Sequence, residues 1–173
     1  ETVSPRLQKQ IGKNLDIPKA GETIEATSRA GITTGAYFII GFPGETREEI
    51  MQTIAFASAS ALDAAYFFKA TAYPGSGFHD SVAGGPGESF PDDFSDYHFY
   101  STKRSHSDFS EAELNAFILL AQRKFFMKFR RLWRGVRKSP RKRAYMKNLM
   151  AVFAIVIQSY MLNAIEKSAR EKA

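Results

Sequence analysis

Two apolar segments that each end at a Pro–Gly turn constrain the fold of this chain more than any other feature. Residues 36–46 read AYFIIGFPGET, and residues 65–77 read AYFFKATAYPGSG. Between them, Thr46 and Glu49 have the spacing of a capping box, which predicts a helix that continues to Ser60. Strand, helix and strand together span about 37 residues, a suitable length for a βαβ crossover. The sequence therefore predicts parallel strands whose turns lie side by side at one sheet edge, where α/β proteins bind ligands.

Two helices are predicted ahead of the first strand. Ser4 and Pro5 place a capping hydroxyl before a proline at the first helical position, and Asp16 with Pro18 repeats this signal. The strand itself, over residues 34–40, is almost entirely apolar. Strands of this kind usually have both faces covered in a parallel sheet. We therefore expect an α/β fold in which both faces of the sheet are buried.

The second half of the chain is predicted to be an irregular loop followed by helices. Residues 73–109 mix prolines and glycines with aromatic residues, which is typical of a long functional loop that packs onto the protein. Ser110 and Glu113 form a second capping box. Gly135 and Ser139–Pro140 are expected to break the helix that they open, and a last helix is expected over residues 140–171. The apolar residues of the first of these helices recur at helical spacing: Leu114, Phe117, Ile118, Ala121, Phe125, Phe129 and Leu132.

Composition divides the chain into two parts of opposite charge. Residues 123–147 hold twelve Lys or Arg among 25 positions and no acid, whereas the rest of the chain has twelve basic and 18 acidic residues. This division predicts different surroundings for the two parts. The chain contains no cysteine, so it cannot itself form a disulfide or a thiolate metal site. It begins at Glu1 with no basic-then-apolar leader, and we expect a cytoplasmic fragment of a longer protein.

The motifs in the first half of the chain carry a family resemblance. They are Gly41–Thr46, Tyr73–Ser76, and Glu1–Leu7 ahead of Gly12–Asn14. In this order they resemble the latter half of a radical S-adenosylmethionine core. The branch that looks most similar has an N-terminal cobalamin-binding domain, and it includes the anaerobic magnesium-protoporphyrin monomethyl ester oxidative cyclases and various methyltransferases. The resemblance covers roughly residues 1–80, and the basic helices resemble the C-terminal extension of that branch more loosely.

The resemblance implies a fragment of a partial (β/α) barrel with parallel strands, followed by a basic helical extension. It divides the chain into the latter half of the barrel at 1–80, a loop at 81–109 and the extension at 110–173. In the family, a 4Fe–4S cluster on a CxxxCxxC loop cleaves S-adenosylmethionine reductively to a 5′-deoxyadenosyl radical. The cluster, and cobalamin where it is used, would have their ligands in the upstream part of the parent chain. The isolated chain is then expected to be inactive, with its small-molecule substrate selected partly by residues 74–109.

The resemblance also assigns S-adenosylmethionine contacts, each of which has an ordinary structural alternative. Glu1 and Ser4 match a polar pair that touches the ribose and methionine end, but Ser4 is equally a helix cap. The turn after the first strand matches the adenosine-proximal backbone, but it is equally an ordinary strand-to-helix turn. The end of the second strand matches main chain that binds the adenine edge, but Tyr73 is equally a core residue. The residues assigned in these two loops are Ile39, Ile40, Gly41, Phe42, Pro43, Gly44, Glu45, Thr71, Ala72 and Tyr73.

No metal site is predicted, because the three histidines lack ligand spacing and the acidic residues near 92–96 lack a calcium-loop cadence. The basic stretch over residues 123–147 leaves three interpretations open. Its helices pack on the barrel with their charges in water, or they contact an anionic membrane surface, or they bind nucleic acid, which we consider the weakest of the three. In the second and third cases the chain is a non-enzymatic binding module, and in the second it is peripheral to a membrane. A half-barrel would also leave one strand edge open for pairing with a second copy.

Overall fold

The computed structural model describes residues 1–82, 106–148 and 150. The chain divides into two compact units, Glu1–Arg131 and Leu132–Ala173. The first unit is a mixed α/β structure with a parallel sheet, which confirms the coarse fold class expected from sequence. The closure of that sheet into a partial barrel, and the predicted boundaries at 80 and 109, stay predictions.

Both predicted helices at the start of the chain are present. Helix α1 spans Pro5–Gln10, and the Ser4 hydroxyl caps it by accepting a hydrogen bond from the Leu7 amide. Helix α2 spans Ile17–Arg29 and is capped in the same way by Asp16. These caps satisfy amides that the first helical turn leaves without a partner.

The predicted strand–helix–strand unit is confirmed. Strand β1 spans Gly35–Ile40, helix α3 spans Arg47–Ala59 and strand β2 spans Ala64–Lys69. The two strands pair in parallel, from Gly35 opposite Ala64 to Ile40 opposite Lys69. The capping box of α3 is complete, since the Thr46 hydroxyl accepts from the Glu49 amide while the Glu49 side chain accepts from the Thr46 amide.

The prediction of an irregular segment over residues 73–109 is wrong at its start. Helix α4 spans Gly77–Val82, and Ser76 opens it by accepting a hydrogen bond from the His79 amide. The serine hydroxyl provides the cap that a segment rich in proline and glycine would otherwise lack. Residues 83–105 lie outside the described part of the chain, so most of the predicted loop stays a prediction.

Helix α5 spans Glu111–Phe126 and begins at the predicted capping box of Ser110 and Glu113. It packs on α3 and β2, and the apolar face that it buries includes Leu114 and Phe117. The main core lies between these two helices and one face of the sheet. Its buried members are Phe38, Ile40, Ile50, Ile54, Ala57, Leu62, Ala65, Phe67, Phe117, Ala121 and Phe125.

The other face of the sheet is open in the described residues, so the expectation of two covered faces is wrong for them. Tyr37 is 63% exposed and Tyr66 is 50% exposed. Their rings stack across the strands with centroids 5.2 Å apart, and Phe68 stacks on Tyr37 at 6.0 Å. Helices α3 and α5 cover one side of the sheet, whereas on the other side, within the described residues, Leu7 of α1 and Phe78 of α4 pack only near Ile39 at the end of β1. Aromatic pairing between the neighbouring strands shields part of the rest of that side.

The predicted break at Ser139–Pro140 is confirmed, because the helix before it ends at Lys138, but the predicted break at Gly135 is wrong. Helix α5 ends at Phe126. Helix α6 then spans Phe129–Lys138 and continues through Gly135 without a break. Because the break comes earlier, Phe129 leaves the predicted apolar stripe and is 78% exposed. Residues 142–148 are helical as expected, whereas the rest of the predicted last helix, from 151 onward, lies outside the described residues. Among the residues that the structure describes, no helix has the length and hydropathy needed to cross a membrane.

Arg131 is the exception in the basic stretch, because it is buried inside the first unit and not in water. Its guanidinium donates to the carbonyls of Leu62, Phe125, Ala57, Ser58 and Ser60. Most of these carbonyls lie at the C-terminal ends of α3 and α5, where they lack intrahelical donors. A cation at the negative end of a helix is also electrostatically favourable. Arg131 therefore joins the ends of the two helices that cover the sheet.

We expect Arg131→Met to lower the free energy of unfolding by about 3 kcal/mol, because the guanidinium contacts to five carbonyls, most of them buried, are lost at once. Arg130→Met is the matched control, since Arg130 is an exposed neighbour with the same side chain, and its effect should stay within about 0.5 kcal/mol. Urea denaturation measures both. Equal stability of the two variants would contradict the role given to Arg131.

Candidate functional site

The carboxyl edge of the sheet brings the two glycine turns together. Ile40 and Lys69 are register partners at the ends of β1 and β2, and the Ala70 amide extends the ladder by donating to the Ile40 carbonyl at 2.8 Å. Gly41 and Gly75 follow with φ angles of 85° and 79°, values that favour glycine. The expectation that the two turns leave the same edge of a parallel pair is therefore confirmed.

The turn after β1 is organised around the buried carboxylate of Glu45, which is 3% exposed. Its Oε2 atom accepts hydrogen bonds from the amides of Gly41 at 2.5 Å and Phe42 at 3.1 Å. A side chain at Gly41 would also meet Leu114 of α5, since a Cβ there lies 2.9 Å from a Leu114 methyl carbon. Glycine is thus required at position 41 by its dihedral angle and by the close approach of α5.

These contacts change what the turn offers to a ligand. The resemblance predicted that the glycines let backbone amides approach adenosine. In the structure the amides of Gly41 and Phe42 already donate to Glu45, and the Gly44 amide donates to Asp108 at 3.1 Å. A ligand at this turn would therefore meet carbonyl groups and side-chain surface, not these three amides.

Burial raises the pKa of Glu45 to about 7, against the opposing effect of the two amide hydrogen bonds. Its second oxygen, Oε1, is buried and has no hydrogen-bond partner in the structure of the described residues. Neither feature was visible in the sequence, where Glu45 read only as an acid near a helix start. The carboxyl group is therefore poised to change its protonation near neutral pH.

A second carboxylate, that of Glu49, joins the starts of α1 and α3. Arg6 binds it through two nitrogens, at 3.0 Å to Oε1 and 2.6 Å to Oε2, and the Ser4 hydroxyl donates to Oε1 at 2.6 Å. Arg6 also donates to the Gly44 carbonyl at 2.7 Å, which fixes the turn to the same group. Hydrogen bonding to Arg6 is the largest of the effects that lower the pKa of Glu49 to about 2. The capping box was predicted, but these partners of Glu49 were not.

The structure separates the predicted polar pair Glu1 and Ser4. The Ser4 side chain is buried and engaged, since it caps α1 and donates to Glu49. The Glu1 side chain is exposed and lies 3.6 Å from the Lys13 ammonium group. Its main chain is more informative, because the Glu1 carbonyl accepts a hydrogen bond from the Ile39 amide at 2.9 Å. Glu1 thus lies against the edge of β1 that β2 does not occupy.

Strand alternation also separates Ile39 from Ile40. Ile40 is fully buried in the core with α3 and α5, so it offers no surface to a ligand. Ile39 points to the opposite face and is half-buried beside a small cluster of Leu7, Phe42 and Ala70. Of the two isoleucines predicted near the adenine, only Ile39 lies on the open side of the sheet.

In the segment after β2, some main-chain N–H and carbonyl groups have no hydrogen-bond partner among the described residues. The main-chain groups of Thr71 and Ala72 make no hydrogen bond within the described part of the chain. The Tyr73 carbonyl, by contrast, accepts from the amide and the hydroxyl of Ser76. Burial raises the pKa of Tyr73. Pro43, the remaining predicted residue, is half-buried, and its carbonyl accepts from Gln10 at 3.3 Å.

Among residues 1–82, 106–148 and 150, no group of three or more His, Asp or Glu side chains is arranged to hold a metal ion. No family model matches the chain. A segment of 75 residues is 41% identical to part of a protein from Pyrococcus horikoshii that is described as an uncharacterized methyltransferase. This segment covers 43% of the chain but only 16% of the relative. The chain is thus similar, over part of its length, to a small part of a methyltransferase.

We expect the stability of the protein to fall as the pH rises from about 4.5 to about 7, because native Glu45 keeps a proton that the unfolded chain releases in this range. Glu45→Gln should remove about 3 kcal/mol of this pH dependence, at about 1.4 kcal/mol per pKa unit. Urea denaturation at the two ends of the range measures it. Glu48→Gln, an exposed neighbour on α3, is the control and should keep the wild-type slope. Equal slopes in wild type and Glu45→Gln would contradict the assignment.

Proposed function

We propose that this chain is part of a radical S-adenosylmethionine enzyme and supplies loops on the adenosine side of the cofactor site. The observation that carries the proposal is the pair of parallel strands whose glycine turns leave one sheet edge, combined with partial identity to a methyltransferase. Bound there, S-adenosylmethionine would undergo reductive cleavage to a 5′-deoxyadenosyl radical that acts on an organic substrate. The relative's description favours methyl transfer over cyclisation of a tetrapyrrole.

The residues present fit the adenosine part of that cofactor. Thr71 is partly exposed and offers a main-chain donor and acceptor with no other partner in the described residues, as an adenine edge requires, whereas Ala72 is buried. Ile39 offers apolar surface on the same side of the sheet. The turn around Glu45 is held rigid by α5 and Arg6, so it would limit the site without donating to the ligand.

The residues do not fit the iron–sulfur part of the site. The chain has no cysteine, so a 4Fe–4S cluster would have all its ligands in other parts of the parent protein. The same holds for cobalamin, which the family branch binds in a separate domain. We propose that the upstream part of the parent chain is the principal partner of this one.

The free edge of β1 is a suitable place for a strand formed by residues before Glu1. Because the Glu1 carbonyl already takes a ladder bond from the Ile39 amide, residues before Glu1 would continue beside β1. Glu1 is followed by α1 and α2 and then by β1, which is the order of another βαβ crossover. A sheet with an upstream strand, β1 and β2 in that order would be one side of a partial barrel. If the upstream part is missing, pairing with a second copy would satisfy the same edge.

The sequence of the parent gene tests this proposal. We expect a CxxxCxxC motif about 80 to 130 residues before Glu1, the length of three strand–helix units. The absence of any cysteine trio in that region would contradict the proposal. The motif would also show that the cluster ligands precede the adenosine loops in the chain.

In the complete parent protein, we expect Ile39→Ala to weaken S-adenosylmethionine binding about tenfold, because the adenine loses apolar contact surface. Ile32→Ala is the matched control, since Ile32 is exposed at the opposite end of β1 and its loss should leave the affinity unchanged. Calorimetry of both variants measures the difference. Equal weakening, or none, would count against an adenine site beside Ile39.

Calorimetry of the isolated 173-residue chain should show no S-adenosylmethionine binding tighter than about 0.1 mM, because the methionine side of the pocket and the cluster are missing. Binding in the low micromolar range would instead mean that the chain contains a whole site. That result would overturn the division of the pocket between this chain and an upstream part.

A further inference from the structure

The second unit concentrates positive charge on two short helical segments. Residues 132–148 and 150, its described part, contain seven Lys or Arg and no acid. Many of these basic side chains are exposed, including Arg137, Lys142, Arg143 and Lys147. A surface of this kind attracts a polyanion by long-range electrostatics. Charge alone does not show whether the polyanion is a nucleic acid or a lipid surface, so the apolar residues that lie between the charges have to distinguish these two partners.

The two helical segments of this unit are in close contact. Gly135 of α6 faces the ring of Tyr145 in the helix over residues 142–148, and a methyl group at position 135 would overlap the Tyr145 hydroxyl. Glycine therefore allows the two helices to approach each other. This contact gives the basic residues of the two segments a defined common scaffold.

Exposed apolar side chains lie directly among the charges. Met146 is 41% exposed and Met150 is 69% exposed. Together with Lys142, Arg143 and Lys147 they form one shallow, open surface. Lys142, Met146 and Met150 are spaced four residues apart, and Arg143 and Lys147 form a neighbouring row at the same spacing, which places all five on one side of the helix.

Trp133 adds a larger apolar group to the same unit. It is the single tryptophan of the chain and is 57% exposed on α6. Arg137 follows it by one helical turn and is also exposed. Tryptophan prefers the boundary between lipid headgroups and acyl chains, where its ring is buried and its N–H stays hydrated.

We propose that the second unit binds the surface of an anionic lipid bilayer through two sets of exposed residues, which are Lys142, Arg143, Met146, Lys147 and Met150 on one side of its second helix and Trp133 with Arg137 on α6. The lysine and arginine side chains would reach the headgroup phosphates while their stems lie along apolar surface. The two methionines and the tryptophan would enter the boundary region below the headgroups. The parent protein would then work at a membrane surface, independently of its cofactor chemistry.

The methionines favour a bilayer over nucleic acid. Single-stranded nucleic acid is bound by stacking of bases on aromatic rings, and base edges are read by hydrogen-bonding side chains. Met146 and Met150 have neither a ring nor a strong hydrogen-bonding group. Their exposure beside three cations fits a partner that is anionic at its surface and apolar beneath it, which describes a bilayer of anionic lipids.

Emission from Trp133 tests the proposal directly in the full 173-residue chain. Titration with phosphatidylcholine vesicles that contain about 30% phosphatidylserine should shift the emission to shorter wavelength, because the indole leaves water. Vesicles of phosphatidylcholine alone should give little shift. Raising the salt from about 0.1 M to about 0.5 M should weaken the partitioning several-fold. No shift with anionic vesicles, or an equal shift with both kinds of vesicle, would overturn the proposal.

Matched variants test whether binding depends on the charges of this surface or only on the net charge of the chain. The triple variant Lys142→Gln, Arg143→Gln, Lys147→Gln should lower the partition coefficient by at least tenfold, since each basic residue near an anionic surface contributes about fivefold. The control removes three exposed charges from α1 and α2 instead, as Lys9→Gln, Lys19→Gln, Arg29→Gln, and should bind like wild type. Equal partitioning of the two triple variants would contradict the assignment.

A third variant and an alternative ligand complete the test. Met146→Ser with Met150→Ser keeps every charge and should still weaken vesicle binding several-fold, because apolar contact is lost. An unchanged affinity would show that the apolar part of the proposal is wrong. Single-stranded and duplex oligonucleotides at the same phosphate concentration should bind more weakly than vesicles. Tighter binding to an oligonucleotide would replace the bilayer with nucleic acid.

Discussion

The carboxylate of Glu49 is the interaction on which the arrangement of the candidate site depends. One side chain caps α3, holds the hydroxyl that caps α1 and binds Arg6, which in turn holds the turn after β1 at Gly44. Besides it, the start of the chain contacts the crossover helix through the weaker hydrogen bonds of Thr2 and Val3 with Thr53, each at 3.3 Å. The pKa of Glu49 is lowered to about 2, so this connection persists across the pH range in which most proteins are folded.

Near that connection, the main-chain amides of the turn after β1 are already hydrogen-bonded, whereas part of the main chain after β2 is not. Glu45 and Asp108 take up the amides of the first turn, and Leu114 occupies the space beside Gly41. The main-chain groups of Thr71 and Ala72 have no hydrogen-bond partner among the described residues, and only Thr71 is partly exposed. The two turns are neighbours in the sheet but are not equivalent for a ligand. Hydrogen-bonding specificity would come from the second turn, and shape from the first.

Local signals in the sequence were sufficient for much of the fold. Ser4, Thr46 and Ser110 act on amides three residues away, so their capping roles follow from short patterns. Parallel pairing followed from the length of the connection. The sequence did not predict Arg131, whose partners at Leu62 and Ser58 are 69 and 73 residues away. It also did not predict which face of the sheet this chain covers, because a buried strand shows the same apolar pattern whether its cover is local or distant.

The exposure of Tyr37 and Tyr66 then links the fold to the function. Parallel sheets are normally covered on both faces, and the helix side of this one is closed by α3, α5 and the carbonyl contacts of Arg131. The open face lies below the same edge that holds Ile39 and the turns, and the Glu1 carbonyl already bonds to the free edge of β1. Under the proposed function, this sheet, whose second face the described residues cover only near Ile39, would be a segment of a larger ring. The aromatic face would then be interior surface, and the chemistry carried out there would depend on residues that this chain does not contain.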